Sequence, residues 1–178
     1  MAEVRTGDRV LVRDLNLAIV LNHVREHGPV SQVDVAQHTG LGRSTVSGIV
    51  KILMEQGYLK EAGAGDSSGG RRPTLLEFNP MVAYAVGVKI APTSIRACVT
   101  DMNARILRTA DRRLDAGEPG EDVIGKAERL VDALISSPEI DQRRVLGVGV
   151  AVPGIVDAEQ GTAVHSHFMR WSGLPIRE

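Results

Sequence analysis

The sequence predicts an α+β chain of two domains: a helical one that ends in a two-stranded ribbon, then a mixed sheet with helical cover. Three observations carry this. Apolar residues recur at i, i+3, i+4 and i+7 at Leu17, Val20, Leu21 and Val24, and again at Val46, Ile49, Val50 and Leu53, as on the buried face of a helix. Two short alternating segments flank a glycine-rich stretch between residues 58 and 78. Beyond Asn79-Pro80 the period changes from helical to strand-like, which marks a domain boundary. The expected division is a flexible arm over 1–13, a helical domain ending in the ribbon over 14–79 and a sheet domain over 80–178.

Each element has its own signal. The first helix spans Leu15 to His27 and stops at Gly28-Pro29. A second begins at Ser31, a good N-cap, with Asp34 placed to complete a capping box and with Val30 and Val35 spaced as a hydrophobic staple. Thr39-Gly40-Leu41-Gly42 breaks the chain, and a third helix runs to a C′ glycine at Gly57. Tyr58 to Glu61 and Thr74 to Phe78 alternate like strands, and Ala62 to Pro73 between them reads as loop.

The third helix carries the functional signal. Opposite its apolar stripe stand Arg43, Ser44, Thr45, Ser47 and Lys51, which offer hydroxyls and amines without bulk. Such a face lets a backbone enter a major groove, with N-terminal residues at base edges and flanking groups on phosphates. The strand–loop–strand that follows completes a winged helix-turn-helix, and Arg71 and Arg72 at its glycine-rich tip suit a narrow A·T-rich minor groove. The plainer alternatives are a helical hairpin with a solvated face and a Gly/Ser linker. Residues 1–80 carry nine Lys or Arg against nine Asp or Glu, so any DNA affinity should be modest and sensitive to salt.

Composition narrows the class. At 178 residues with 43% hydrophobic content the chain can bury a core, and no apolar run approaches the roughly 18 residues of a membrane span. With a charged N-terminus lacking a signal peptide, and a single cysteine, Cys98, the expectation is a cytoplasmic protein without an intrachain disulfide. Cys98 sits in an apolar run and reads as a buried, inert thiol.

In the second domain, Ala83 to Ile90, Ile95 to Thr100 and Arg105 to Leu114 read as strands, with Asp101 to Ala104 as a hairpin turn. A helix from Glu118 or Pro119 to Ser136 buries Val123, Ile124, Ala127, Leu130, Val131 and Leu134, and a fourth, buried strand runs from Val145 to Val152. His165 and His167 share one face of an extended segment without a nearby cysteine or carboxylate, so they read as solvated loop histidines. Trp171 reads as packing in the loop before Leu174.

The order of these motifs, GGRRP, then VGVKIAPTSIRACVTDMNARIL, a helix, and LGVGVAVPGIVDAEQG, resembles the ROK family of sugar-responsive repressors and sugar kinases. The similarity runs from about Asp14 onward. It implies that the second domain is the first part of an actin-like (ribonuclease H-like) α/β domain. It also implies a dimeric or tetrameric transcriptional repressor of carbohydrate-utilisation genes, released from its operator by a sugar or sugar phosphate. Gly147, Gly149, Pro153 and Gly154 match the family's sugar-side loop, which makes Pro153 and Gly154 the sugar-binding candidates.

The family's kinases carry a D-x-G-x-T phosphate loop where this chain has Lys89-Ile90-Ala91-Pro92-Thr93. Lys89 reverses the charge of the magnesium-holding acid, Ala91 replaces a glycine, and Pro92 removes an N–H donor, so only Thr93 survives. No catalytic residue and no cofactor are expected. The family's catalytic aspartate, later sugar contacts and cysteine-rich zinc motif would lie beyond Glu178, and the expectation is a fragment of a longer protein. The competing readings are a ROK-type sugar kinase with a helical appendage and a helical protein-interaction domain. The expected DNA partner is a palindromic, A·T-flanked operator, since one recognition helix contacts too few bases alone.

Overall fold

The computed structural model describes residues 6–65, 72–115 and 117–177. It divides into two compact units, Met1–Pro80 and Met81–Glu178.

In the first unit, α1 (Thr6–His27) is followed by β1 (Val30–Ser31), α2 (Gln32–Thr39), α3 (Arg43–Glu55), β2 (Leu59–Ala64) and β3 (Thr74–Phe78). The expected arm over residues 1–13 is corrected for its described part, 6–13. The helix already starts at Thr6, because residues 6–14 contain no proline or glycine pair to break it and Val10, Leu11 and Val12 extend its apolar run. The loop expected from Ala62 is also shorter than it read. β2 continues to Ala64 through a bulge between Glu61 and Ala64, and a bulge is how a strand absorbs a residue such as Gly63.

The capping box forms as expected: the Asp34 amide donates to Ser31 Oγ (3.2 Å) and the Ser31 amide to Asp34 Oδ2 (3.1 Å). The Ser31 hydroxyl also donates to Asp34 Oδ2 (2.7 Å), and this bond, with that from the Ser31 amide, holds the Asp34 carboxyl below its ordinary range. The C-terminus of α3 closes as a Schellman motif, with the Tyr58 amide donating to Leu53 O and the Gly57 amide to Met54 O. Val20 and Val24 of α1, Val35 of α2, Val46 and Val50 of α3 and Leu76 of β3 meet in one buried core. β3 lies between β1 and β2, all antiparallel.

The second unit holds β4 (Tyr84–Ala91), β5 (Ser94–Asp101), β6 (Ile106–Arg113), α4 (Gly120–Ile135) and β7 (Val145–Ala151). The strand order is β6-β5-β4-β7, antiparallel except for β4 and β7, which run parallel. A parallel neighbour needs a crossover, and α4 supplies it while covering the sheet with Val123, Ala127 and Leu134. The β5–β6 turn is held by Asp101, whose Oδ1 accepts from the amides of Asn103 and Arg105, each at 2.9 Å.

Four expectations change here. β7 is not buried: it is an edge strand, with Leu146, Val148 and Val150 exposed, because it has a partner on one side only. Cys98 is half-buried rather than buried, on the less covered face of β5. The chain after Pro153 is not loop. β8 (Ile155–Asp157), β9 (Thr162–Ser166) and β10 (Trp171–Pro175) form a second antiparallel sheet in the order β10-β9-β8. His165 therefore lies in a strand, and Trp171 is paired in β10 opposite Ser166. These strands are too short for period to reveal.

Candidate nucleic-acid interface

The turn over residues 39–42 sets α3 relative to α2. Thr39 donates its hydroxyl to Val35 O (2.6 Å), and the Gly40 amide donates to Ala36 O (3.1 Å). Gly40 turns the chain at φ 71°, a left-handed conformation that a Cβ would strain. Gly42 then starts α3 without a capping side chain. The first-turn amides of α3 thus have no side-chain acceptor at the cap, the condition in which a helix N-terminus favours an anion.

α3 is sharply two-sided. Val46, Ile49, Val50 and Leu53 are buried, whereas Arg43, Ser44, Thr45, Ser47 and Lys51 are all exposed. The same hydrophobic spacing that buries one face turns the slim polar face outward. Lys51 Nζ lies 3.9 Å from Glu55 Oε1, and both side chains are largely in solvent. Such a pair is worth about 0.3–0.5 kcal/mol, so the ammonium is readily given up to a phosphate.

The ribbon of β2 and β3 follows α3 directly. Lys60 and Glu77 face each other across it at 2.9 Å, and the Gly65 amide donates to Pro73 O where the strands end. Arg72 is exposed at that end. Arg71, with Gly69 and Gly70, lies outside the described residues.

In the second unit the structure brings two sequence-predicted stretches together. Lys89, Ala91 and Pro92 line one side of a cavity of about 230 Å³, and Pro153 lines the other. Lys89 is exposed and sets an ammonium beside this cavity. Gly154 is placed elsewhere, at φ 136° against β9, where a Cβ would fall 3.0 Å from Ser166 Cα and closer still to the His165 carbonyl oxygen. Among the described residues no group of three His, Cys, Asp or Glu could hold a metal ion. No helix among the described residues is long and apolar enough to cross a membrane.

Sequence reasoning missed the neighbourhood of Gly154. Ser166 is buried and its Oγ accepts from the Met169 amide at 3.3 Å. Trp171 Nε1 is a buried donor with no acceptor among the described residues. His165, Ser166, Arg170 and Trp171 line one concavity beside Gly154. Only the pairing of β9 with β8 and β10 gathers them, and no local pattern announces that pairing.

Known proteins resemble both units. Residues 18–72 match the sequence profile of the MarR family, and residues 85–178 match that of the ROK family. The xylose repressor of Bacillus subtilis is 31% identical over 157 residues, covering 86% of this chain and 40% of that protein. The xylose repressor of Caldicellulosiruptor bescii is 26% identical over 171 residues, covering 96% and 43%. The DNA-binding transcriptional dual regulator NagC of Escherichia coli is 26% identical over 162 residues, covering 89% and 39%. The chain thus spans between 39% and 43% of the length of these relatives. A crystal structure of a ROK family transcriptional regulator, a homologue of the E. coli MLC protein, superposes with a TM-score of 0.66 over 93% of this chain and 42% of that one, at 18% identity, and so shares the fold. Since the ROK profile takes in more than half of its residues, the chain belongs to the ROK family.

Proposed function

We propose that this chain binds double-stranded DNA as a cytoplasmic transcriptional repressor of carbohydrate-utilisation genes, and that its second unit belongs to a domain that senses a sugar or sugar phosphate. The observation that carries the reading is the two-sidedness of α3. Every polar residue expected to touch DNA on that helix is exposed, and every residue opposite is buried. Arg43, Ser44 and Thr45 would meet base edges, Ser47 and Lys51 phosphates, and Arg71 and Arg72 the adjacent minor groove of an A·T-flanked site. The names of the relatives, xylose repressor and NagC, support the carbohydrate connection.

Pro153 and Gly154 stand on the effector side, and a homodimer or homotetramer would read a palindromic operator. An effector releases DNA only if it favours an arrangement of the reading heads that DNA disfavours. Phosphotransfer is the weaker reading, because Lys89, Ala91 and Pro92 replace the groups that hold magnesium and phosphate.

The test is a binding titration on duplex from the chain's own upstream region, comparing the parent with Ser44→Glu and Ser47→Glu. Both sites are exposed, so the fold should persist, while a carboxylate against phosphate should weaken binding at least about tenfold. Unchanged affinity in both variants would remove α3 from the interface. ATP turnover with hexoses or amino sugars, abolished by Thr93→Ala, would overturn the repressor reading in favour of a kinase.

A further inference from the structure

We propose that a stack of three imidazoles joining α1 to α2 is a proton-operated joint: as the stack gains charge, α2 loosens from α1 and the α2–α3 pair loses the geometry that DNA reading requires. The DNA clause rests on the function proposed above; the joint itself does not.

His23, half-buried on α1, is the middle ring. His27, one turn along α1, stacks on it with centroids 4.5 Å and planes 20° apart. His38, from the last turn of α2, stacks on it with centroids 5.4 Å and planes 23° apart. His27 Nδ1 lies 3.1 Å from His23 O, and His38 Nδ1 lies 2.8 Å from Asp34 O. A carbonyl oxygen only accepts, so each of these nitrogens carries its hydrogen, and Nε2 is left to take the second proton. Near-parallel planes hold the ring nitrogens side by side instead of aiming them at one point, so the arrangement suits protons and not a metal ion.

Neutral rings tolerate this contact, whereas imidazolium rings at these separations repel. From α1, His27 and Glu26 act on His23; from α2, His38 and Asp34 do. The other elements packed on α1 carry Arg43, Lys51 and Glu55 on α3 and Glu77 on β3, and the charges that act on His23 come from α1 and α2. Burial and the two histidines outweigh the two carboxylates and hold His23 below its ordinary 6.5. His38 immediately precedes the turn over residues 39–42 that sets α3, so a change in how α2 sits on α1 passes straight to the helix proposed to read DNA.

Two readouts on the whole chain test this. In a proton NMR titration of the five histidines, assigned with His→Gln variants, His23 should titrate below 6.5 and move upward in His38→Gln, whose site is exposed. A parent His23 at or above 6.5, or one indifferent to His38→Gln, would overturn the joint. In the second, duplex affinity is followed from pH 7.5 to 5.5 at fixed salt. Added positive charge alone tightens DNA binding, so a fall isolates the joint. The parent should lose about tenfold and His38→Gln less than about threefold, a gap set by the coupling typical of linked sites. A flat or rising parent curve, or a variant with the full fall, would sink the proposal. A chain that binds no duplex at any pH would refute the DNA reading instead and leave the NMR titration to decide the joint.

Discussion

Replacing Gly154 by alanine adds one methyl group to a place already filled by backbone. At φ 136° the new Cβ would stand 3.0 Å from Ser166 Cα and Cβ and nearer than that to the His165 carbonyl oxygen. None of these atoms is the end of a flexible side chain, so β9 itself must retreat. A disallowed backbone conformation costs about 1–3 kcal/mol. Overpacking against a fixed neighbour costs about 1–3 kcal/mol more. The expected loss is therefore about 2–6 kcal/mol, a large share of the roughly 5–15 kcal/mol that holds a domain folded.

Trp171 is the only tryptophan, is buried, and pairs with Ser166, so its fluorescence reports unfolding of this region directly. Urea titration should show a lower midpoint at an unchanged slope. Gly147→Ala is the control, because a Cβ there meets nothing within 4 Å, and its stability should stay within about 0.5 kcal/mol of the parent. If Gly154→Ala unfolded at the parent's midpoint, the close approach of the Pro153-Gly154 loop to β9 would be wrong. A purely ligand-contacting role for Gly154 would then be the surviving account.

Other outcomes follow from the first unit. Ser31→Ala removes the side-chain half of the capping box and should cost about 1 kcal/mol in thermal or urea unfolding followed by far-UV circular dichroism. Val46→Ala deletes two methyl groups from a fully buried site and should cost about 2 kcal/mol in the same assay. The unit should soften in two acid steps. The folded value of His23 lies below 6.5, so its contribution is complete above 6.5 and is lost as pH falls from there through the depressed value. That of Asp34 lies below 3.8, so its contribution is complete above 3.8 and is lost as pH falls through the lower folded value. Melting temperatures across pH would separate the steps. Arg72→Ala should weaken binding to A·T-flanked duplex and lower the slope of log affinity against log salt by about one. A variant with the parent's affinity and slope would take the ribbon out of the interface.

The helical unit was largely legible because its signals are local. The stripe of Val46, Ile49, Val50 and Leu53, the Ser31–Asp34 box and the glycine at residue 57 each act within one or two turns, and each stands where the spacing put it. The start of α1 at Thr6 was misjudged, since a polar, charged N-terminal stretch looks alike whether it is helical or extended. For the proposed interface, chain chemistry alone marked Arg43, Ser44, Thr45, Ser47 and Lys51 as the outward face, and they are exposed, because a helix whose core face is known has only one other face to present.

The second unit shows where that reasoning ends. Hydrophobic runs announced β4, β5, β6, α4 and β7, yet a run of valines looks the same in a central strand and at an edge. Only the order β6-β5-β4-β7 leaves Val148 and Val150 in solvent. Lys89 and Pro153 are more than sixty residues apart in sequence and line one cavity because β4 and β7 run parallel. His23 and His38 likewise meet only because α1 and α2 pack together. Sequence determined which residues could be buried, capped or turned outward, for those are properties of neighbours along the chain. Strand order and helix packing decided which of them share a site, since such contacts belong to distant segments whose meeting is chosen by the burial of the whole unit.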